Sequence, residues 1–195
     1  GGVAGNAAAN AQIVAKTKSR LEFEELRTID RPTDEHPDGR IVVGRLAELR
    51  FVDINTGIVL SSVNVPYGSS LFYKEGDVVE KDAVIATWDP FNAVIVTEFS
   101  GKVQFEGVKE GVTYRVEQDD TTGLRELIVT ESKDKAVVPT CHIVNEDGEV
   151  LRTYNFPING HITVEDGQRL TAGDVLIKIP RVVSKAGDIT GGLPR

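Results

Sequence analysis

Few side chains in this sequence have the types and spacing that chemistry requires. Cys141 and His142 are adjacent, a thiol beside an imidazole, as a cysteine nucleophile and its base would be. A thiol reacts as its thiolate and needs a lowered pKa, and neighbours in a strand point to opposite faces. The pair therefore reads as a buried structural cysteine next to an unrelated histidine. His36 lies among Asp34, Glu35 and Asp38, but no second histidine is near, so a solvated acidic loop is expected rather than a metal centre. Asp119-Asp120 are like charges in a polar loop ending at Gly123, which water satisfies without any acid–base role. His161 reads as a turn residue. Trp88 follows Val84-Ile85-Ala86-Thr87 and precedes Asp89-Pro90, so it reads as core at a strand end. No Gly-x-x-x-x-Gly-Lys-Ser/Thr loop is present to cradle a phosphate. Catalytic, cofactor and metal residues are all expected to be absent.

The elements that hold these residues are set by composition. The chain has 195 residues, 22 basic and 30 acidic, for a net charge of −8. That suits one large or two small domains, and the acidic balance argues against autonomous binding to a phosphate backbone. No apolar run approaches the roughly 18 residues of a membrane helix. A single cysteine excludes an intrachain disulfide and a cysteine-rich zinc module. Methionine is absent even at position 1, and both ends are abrupt and glycine-rich, so a processed chain or a fragment is expected. Residues 1–18 are small and polar and read as a flexible flank.

From Leu21 to Ile179 the sequence is written in strands. Val42-Val43, Val84-Ile85, Val94-Ile95-Val96, Leu127-Ile128-Val129 and Val175-Leu176-Ile177 are short β-branched runs separated by turn residues. Val63 and Val65 alternate with Ser62 and Asn64, and Tyr154 and Phe156 with Thr153 and Asn155, the period of a half-buried strand. Asn55-Thr56-Gly57 and Glu146-Asp147-Gly148 read as hairpin turns. Arg31–Gly39, with two prolines, reads as a surface loop. The body is all-β.

It also repeats. Gly57 matches Gly148 at an offset of 91, and the same offset pairs Val59 with Val150, Asn64 with Asn155, Pro66 with Pro157, Gly76 with Gly167 and Val84 with Val175. Leu21-Glu22-Phe23-Glu24 echoes Val103-Gln104-Phe105-Glu106 at 82, and Arg40–Val43 echoes Glu126–Val129 at 86. Two copies of one β unit follow, at 19–98 and 99–181, with Asn92–Phe99 open to either copy and flexible flanks at 1–18 and 182–195. Each carries a turn-rich stretch, Glu75–Val84 or Asp166–Val175, that resembles the barrel-sandwich hybrid of biotinyl and lipoyl carriers. Carriers attach their cofactor to a lysine at a hairpin tip. The corresponding stretches here, Trp88–Ala93 and Ile179-Pro180-Arg181, contain none.

Val65-Pro66-Tyr67-Gly68, Ala86–Pro90, Val96–Phe105 and Thr122-Gly123-Leu124 occur in this order in a lineage-specific insertion of the β′ subunit family of bacterial DNA-directed RNA polymerase, which the chain resembles throughout. Gly187–Arg195 resembles the segment where the trigger loop resumes after that insertion, and Gly1-Gly2 fits the point where the loop is left. The resemblance implies two tandem sandwich-barrel hybrid modules and a bacterial, cytoplasmic transcription role. It also implies that chemistry lies elsewhere. The family's Mg²⁺-binding motif, Asn-Ala-Asp-Phe-Asp-Gly-Asp, is missing here, so Mg²⁺, and Zn²⁺ with it, would belong to the parent subunit. Expected partners are the β′ jaw, the secondary-channel rim, the β subunit and secondary-channel factors, and the isolated segment is expected to be monomeric. Gly1, Gly2, Gly5, Gly187, Gly191 and Gly192 are the hinge candidates. The competing reading is a stand-alone β interaction module, which leaves the Gly187–Arg195 match to coincidence.

Overall fold

Short β-branched runs cannot bury themselves as helices of three turns, and strands are what they form. The computed structural model describes residues 11–181, and among these there is no helix. The described chain divides into two units, residues 11–91 with Arg181, and Asn92–Pro180.

The first unit has β1 (Gln12–Val14), β2 (Ser19–Glu24), β3 (Thr28–Asp30), β4 (Arg40–Val42), β5 (Glu48–Val52), β6 (Val59–Asn64), β7 (Ser70–Leu71), β8 (Val78–Val79) and β9 (Val84–Thr87). The second has β10 (Asn92–Val96), β11 (Gly101–Glu106), β12 (Tyr114–Gln118), β13 (Arg125–Val129), β14 (Thr140–Val144), β15 (Val150–Asn155), β16 (His161–Ile162), β17 (Arg169–Leu170) and β18 (Val175–Pro180). In the first unit a five-stranded sheet runs β1-β9-β7-β4-β3 and a four-stranded sheet β6-β5-β2-β8. The second runs β10-β18-β16-β13-β12 and β15-β14-β11-β17, the same two orders strand for strand. All the strand pairs are antiparallel, so the repeat read from turn glycines is a repeat of topology.

The register refines the alignment. Ser19 pairs with Val79 as Gly101 pairs with Leu170, which keeps the offsets of 82 and 91. Arg40 pairs with Leu71 as Leu127 pairs with Ile162, so the fourth strands align at 87 rather than 86. A slip of one residue exchanges the two faces of a strand, and the 87 register aligns Val42 with Val129, the residue that each strand contributes to its unit's core. The β5–β6 turn is one residue longer than its counterpart: Asp53 N–H donates to Ile58 O, but Asn145 N–H to Glu149 O.

Two boundaries differ from the expected ones. β1 lies inside the supposed flank, because Ile13 and Ala15 are apolar and become buried while Gln12–Val14 pairs along β9. β10 pairs with β18 from Asn92↔Pro180 to Val96↔Val175, so Asn92–Glu98 belongs to the second unit. Each core is built from matching positions. Leu21, Val42, Leu49, Leu71 and Ile85 fill the first, while Val103, Val129, Cys141, Ile162 and Leu176 fill the second.

Candidate functional site

The sequence-predicted chemical residues separate once they are placed. Cys141 is a free, fully buried thiol in the core of the second unit. Burial pushes its pKa up from 9.0 to about 12, with Asp166 adding to the rise, so it is held as an inert thiol. His142 faces outward, where Nδ1 meets Thr153 Oγ1 at 2.8 Å and Nε2 meets Glu106 Oε1 at 2.7 Å. Its ring is thus engaged away from the sulfur. The matching pair in the first unit is Arg50 with Glu24, at 3.1 Å, which places both pairs as cross-strand links on an outer sheet face.

His161 is a strand residue rather than a turn residue: it pairs with Ile128 and Lys178, and its Nδ1 meets Glu126 Oε2 at 2.6 Å. The preceding Gly160 ends the turn, so the strand begins one residue earlier than its composition suggests. His36 stacks on Phe72 with ring centroids 4.0 Å apart, which fixes the Arg31–Gly39 loop to the first unit. Asp119 uses a carboxylate oxygen to accept the Thr121 N–H at 2.8 Å, as a turn-forming aspartate does. Trp88 is partly buried against the first core. No group of three His, Cys, Asp or Glu side chains that could hold a metal occurs among the described residues. Gly1, Gly2, Gly5, Gly187, Gly191 and Gly192 lie outside the described residues.

What the geometry does assemble is a mounting point. Trp88-Asp89-Pro90-Phe91 leaves β9 at the end of the first unit. Its Trp88 N–H donates to Ala11 O at 3.0 Å, which fixes the first described residue. Phe91 O accepts the Arg181 N–H at 2.7 Å, and Asp89 O accepts Arg181 Nε at 3.2 Å, which fix the last. Three residues of chain span about 10 Å at most. The incoming and outgoing chains are thus clamped to one short strip of the first unit. Proline has no N–H to donate and keeps that strip out of any ladder, and the Phe91 N–H turns back to donate to Asp89 Oδ1 at 2.7 Å. Sequence reasoning saw Asp89-Pro90 as a strand end and missed the clamp, because its bonds are mostly made by the main chain and leave no side-chain signature.

No known family model matches the chain. It is similar over all 195 residues to β′ subunits of DNA-directed RNA polymerase, at 64% identity in Phocaeicola vulgatus, 64% in Bacteroides thetaiotaomicron and 48% in Flavobacterium johnsoniae. The chain spans 14% of the length of each of these relatives. It therefore matches one segment of a bacterial β′ subunit from end to end.

Proposed function

We propose that this chain, a segment matching the β′ subunit of bacterial DNA-directed RNA polymerase, serves that enzyme as a non-catalytic body carried by the trigger loop. The observation that carries the reading is the clamp. A body is tolerated inside a short mobile segment only if its two chain ends leave close together, and Ala11 and Arg181 are both bonded to Trp88–Phe91. The resemblance of Gly187–Arg195 to the resuming trigger loop supports the same location.

The mechanism is mechanical. A trigger loop that folds over bound nucleotide and reopens must carry this body with it, as active-site lids carry whatever is attached to them. Any contact the body makes in only one of the two positions shifts the folding equilibrium by the free energy of that contact. About 1.4 kcal/mol changes the ratio tenfold. The jaw, the rim of the secondary channel, the β subunit and factors that enter that channel are the surfaces within reach of such a body. Pausing, elongation rate and transcript cleavage are the processes it would tune, in the bacterial cytoplasm.

Deleting 11–181 from the polymerase and joining the flanks through a short glycine linker tests this. Pause lifetimes should change at least several-fold while basal RNA synthesis persists. Unchanged pausing removes the regulatory reading, and loss of basal synthesis removes the non-catalytic one.

A further inference from the structure

Each unit ends its four-stranded sheet on a matching edge, β6 in the first and β15 in the second. All six residues of β6 are exposed, and five of the six in β15. The edges differ in how they are guarded. In β15, Arg152 reaches Glu98 at 3.4 Å and lies 5.6 Å from the Tyr154 ring centroid, while the Tyr154 hydroxyl accepts the Glu98 N–H at 2.9 Å. A charged side chain fixed on an edge strand discourages a second chain from pairing there.

The residue of β6 that matches Arg152 is Ser61, and the one that matches Tyr154 is Val63. Val59-Leu60-Ser61-Ser62-Val63-Asn64 contains no charge and no proline. Ile58, Val59, Leu60 and Val63 are 62%, 48%, 50% and 38% exposed. Val65 N–H donates to Ala47 O at 2.9 Å. Antiparallel ladders alternate, so the amides of Ser62 and Asn64 face away from β5 and are free to pair. The hairpin tip beside this edge is rigid, because the Thr56 hydroxyl and amide both bond Asp53 and hold its carboxyl below the usual carboxylate range.

We propose that β6 is a strand-addition site, occupied by an extended, uncharged segment of the β′ chain lying outside these 195 residues. The size of the edge selects the occupant. Six residues make a strip about 20 Å long and ~5 Å wide, a footprint on the order of 100 Å² and well short of the ~800 Å² per partner of a standard stable interface with a diffusing partner or a second copy. A segment of the same chain is held near at about millimolar effective concentration, so a short ladder suffices. The chain spans 14% of the length of its β′ relatives, so on the β′ reading most of that subunit lies outside it. Main-chain bonds to Ser62 and Asn64 supply the pairing, and Leu60 and Val63, on opposite faces of the strand, each favour an apolar neighbour on their own face. The inference rests on the β′ reading above and names the contact through which the body would be held in one position.

The test uses assembled polymerase carrying Leu60→benzoylphenylalanine, with Leu151→benzoylphenylalanine on β15 as the guarded control, and maps the photo-crosslinks by mass spectrometry. Position 60 should crosslink to a β′ segment outside the 195 residues, and position 151 should not. Adding Ser61→Arg, which imports the second unit's guard, or Ser62→Pro, which removes an outward amide, should lower the yield at least tenfold. The proposal is overturned by no crosslink from position 60, by a crosslink to a second copy or to another subunit, by equal yields at 60 and 151, or by an undiminished yield with either variant. Crosslinking does not depend on pausing, so failure here and failure of the regulatory reading are separate results.

Discussion

Where the first unit places Ser69 and Ala86, the second places Gly160 and Ile177, all four buried at matching positions. A Cβ at Gly160 would lie 2.4 Å from Ile177 Cδ1, so the larger residue on β18 is admitted only because its neighbour has no side chain. A second exchange pairs Leu49 and Val65 in the first core with Cys141 and Phe156 in the second, small against large and large against small. A third concerns the backbone. Glu25, Asp82 and Asn159 adopt positive φ, and their counterparts Gly107, Gly173 and Gly68 do the same. Two copies of one topology have thus kept the volume of each core and the hand of each turn while changing which residue supplies it. They have not kept their outer edges, and that asymmetry singles out β6.

The comparison breaks most visibly in the cores. Leu49→Ala should cost about 2–5 kcal/mol, as removal of a fully buried leucine does. The matching Cys141→Ala removes only a sulfur and should cost nearer ~1 kcal/mol on the same scale. Urea denaturation of the full chain, followed unit by unit through hydrogen exchange, measures both. Equal losses would mean that the two cores are not packed as equivalents.

The exchange at Gly160 sharpens the comparison further. Gly160→Ser should lose about 1–3 kcal/mol through overpacking against Ile177. In combination with Ile177→Ala, the loss should fall short of the sum of the single losses by at least ~0.5 kcal/mol, a coupling expected for residues in contact. The same Ser–Ala combination is native in the first unit, so strict additivity would contradict the pairing of these positions.

At neutral pH the smallest effect comes from titration, and it grows only in alkali. The buried Cys141 thiol has its pKa raised from 9.0 to about 12. The folded chain therefore keeps a proton that the unfolded chain releases above pH 9, so this contribution to stability is whole below pH 9 and declines as pH rises towards 12. Cys141→Ala should flatten that decline relative to the parent. Fast reaction of the parent's thiol with a disulfide reagent at pH 8, without unfolding, would contradict its burial.

How much of this was legible in the sequence depended on whether a feature is local. Turn glycines such as Gly57 and Gly148 are local, and they revealed both hairpins and the repeat. The β-branched runs revealed an all-β chain. Non-local pairing was not legible: nothing in Gln12–Val14 or Asn92–Val96 states that each will lie beside β9 or β18 at a sheet edge. The 86-for-87 slip arose because residue type favours the wrong register: at 86 Arg40 meets Glu126 and three apolar residues meet three, whereas at 87 Arg40 meets Leu127 and Val43 meets Thr130. The alternation at Ser62–Val65 suggested a half-buried strand, yet every residue of β6 is exposed and only the following Val65 is buried. Period alone cannot separate a strand covered on one face from one overhanging the edge of its core. The clamp at Trp88–Phe91 escaped notice for a related reason, since backbone carbonyls accept hydrogen bonds whatever side chains they carry.

A body carried by the trigger loop must move whenever the loop folds. The inertness of Cys141 allows the movement to be followed, since Leu46→Cys, at a site 75% exposed, would give the segment a single labelling position. Single-molecule energy transfer from that dye to one on a fixed region of the assembled polymerase reads the separation directly. Two separations are expected, with populations that exchange when the correct nucleotide is added. One separation, indifferent to nucleotide, would contradict that movement.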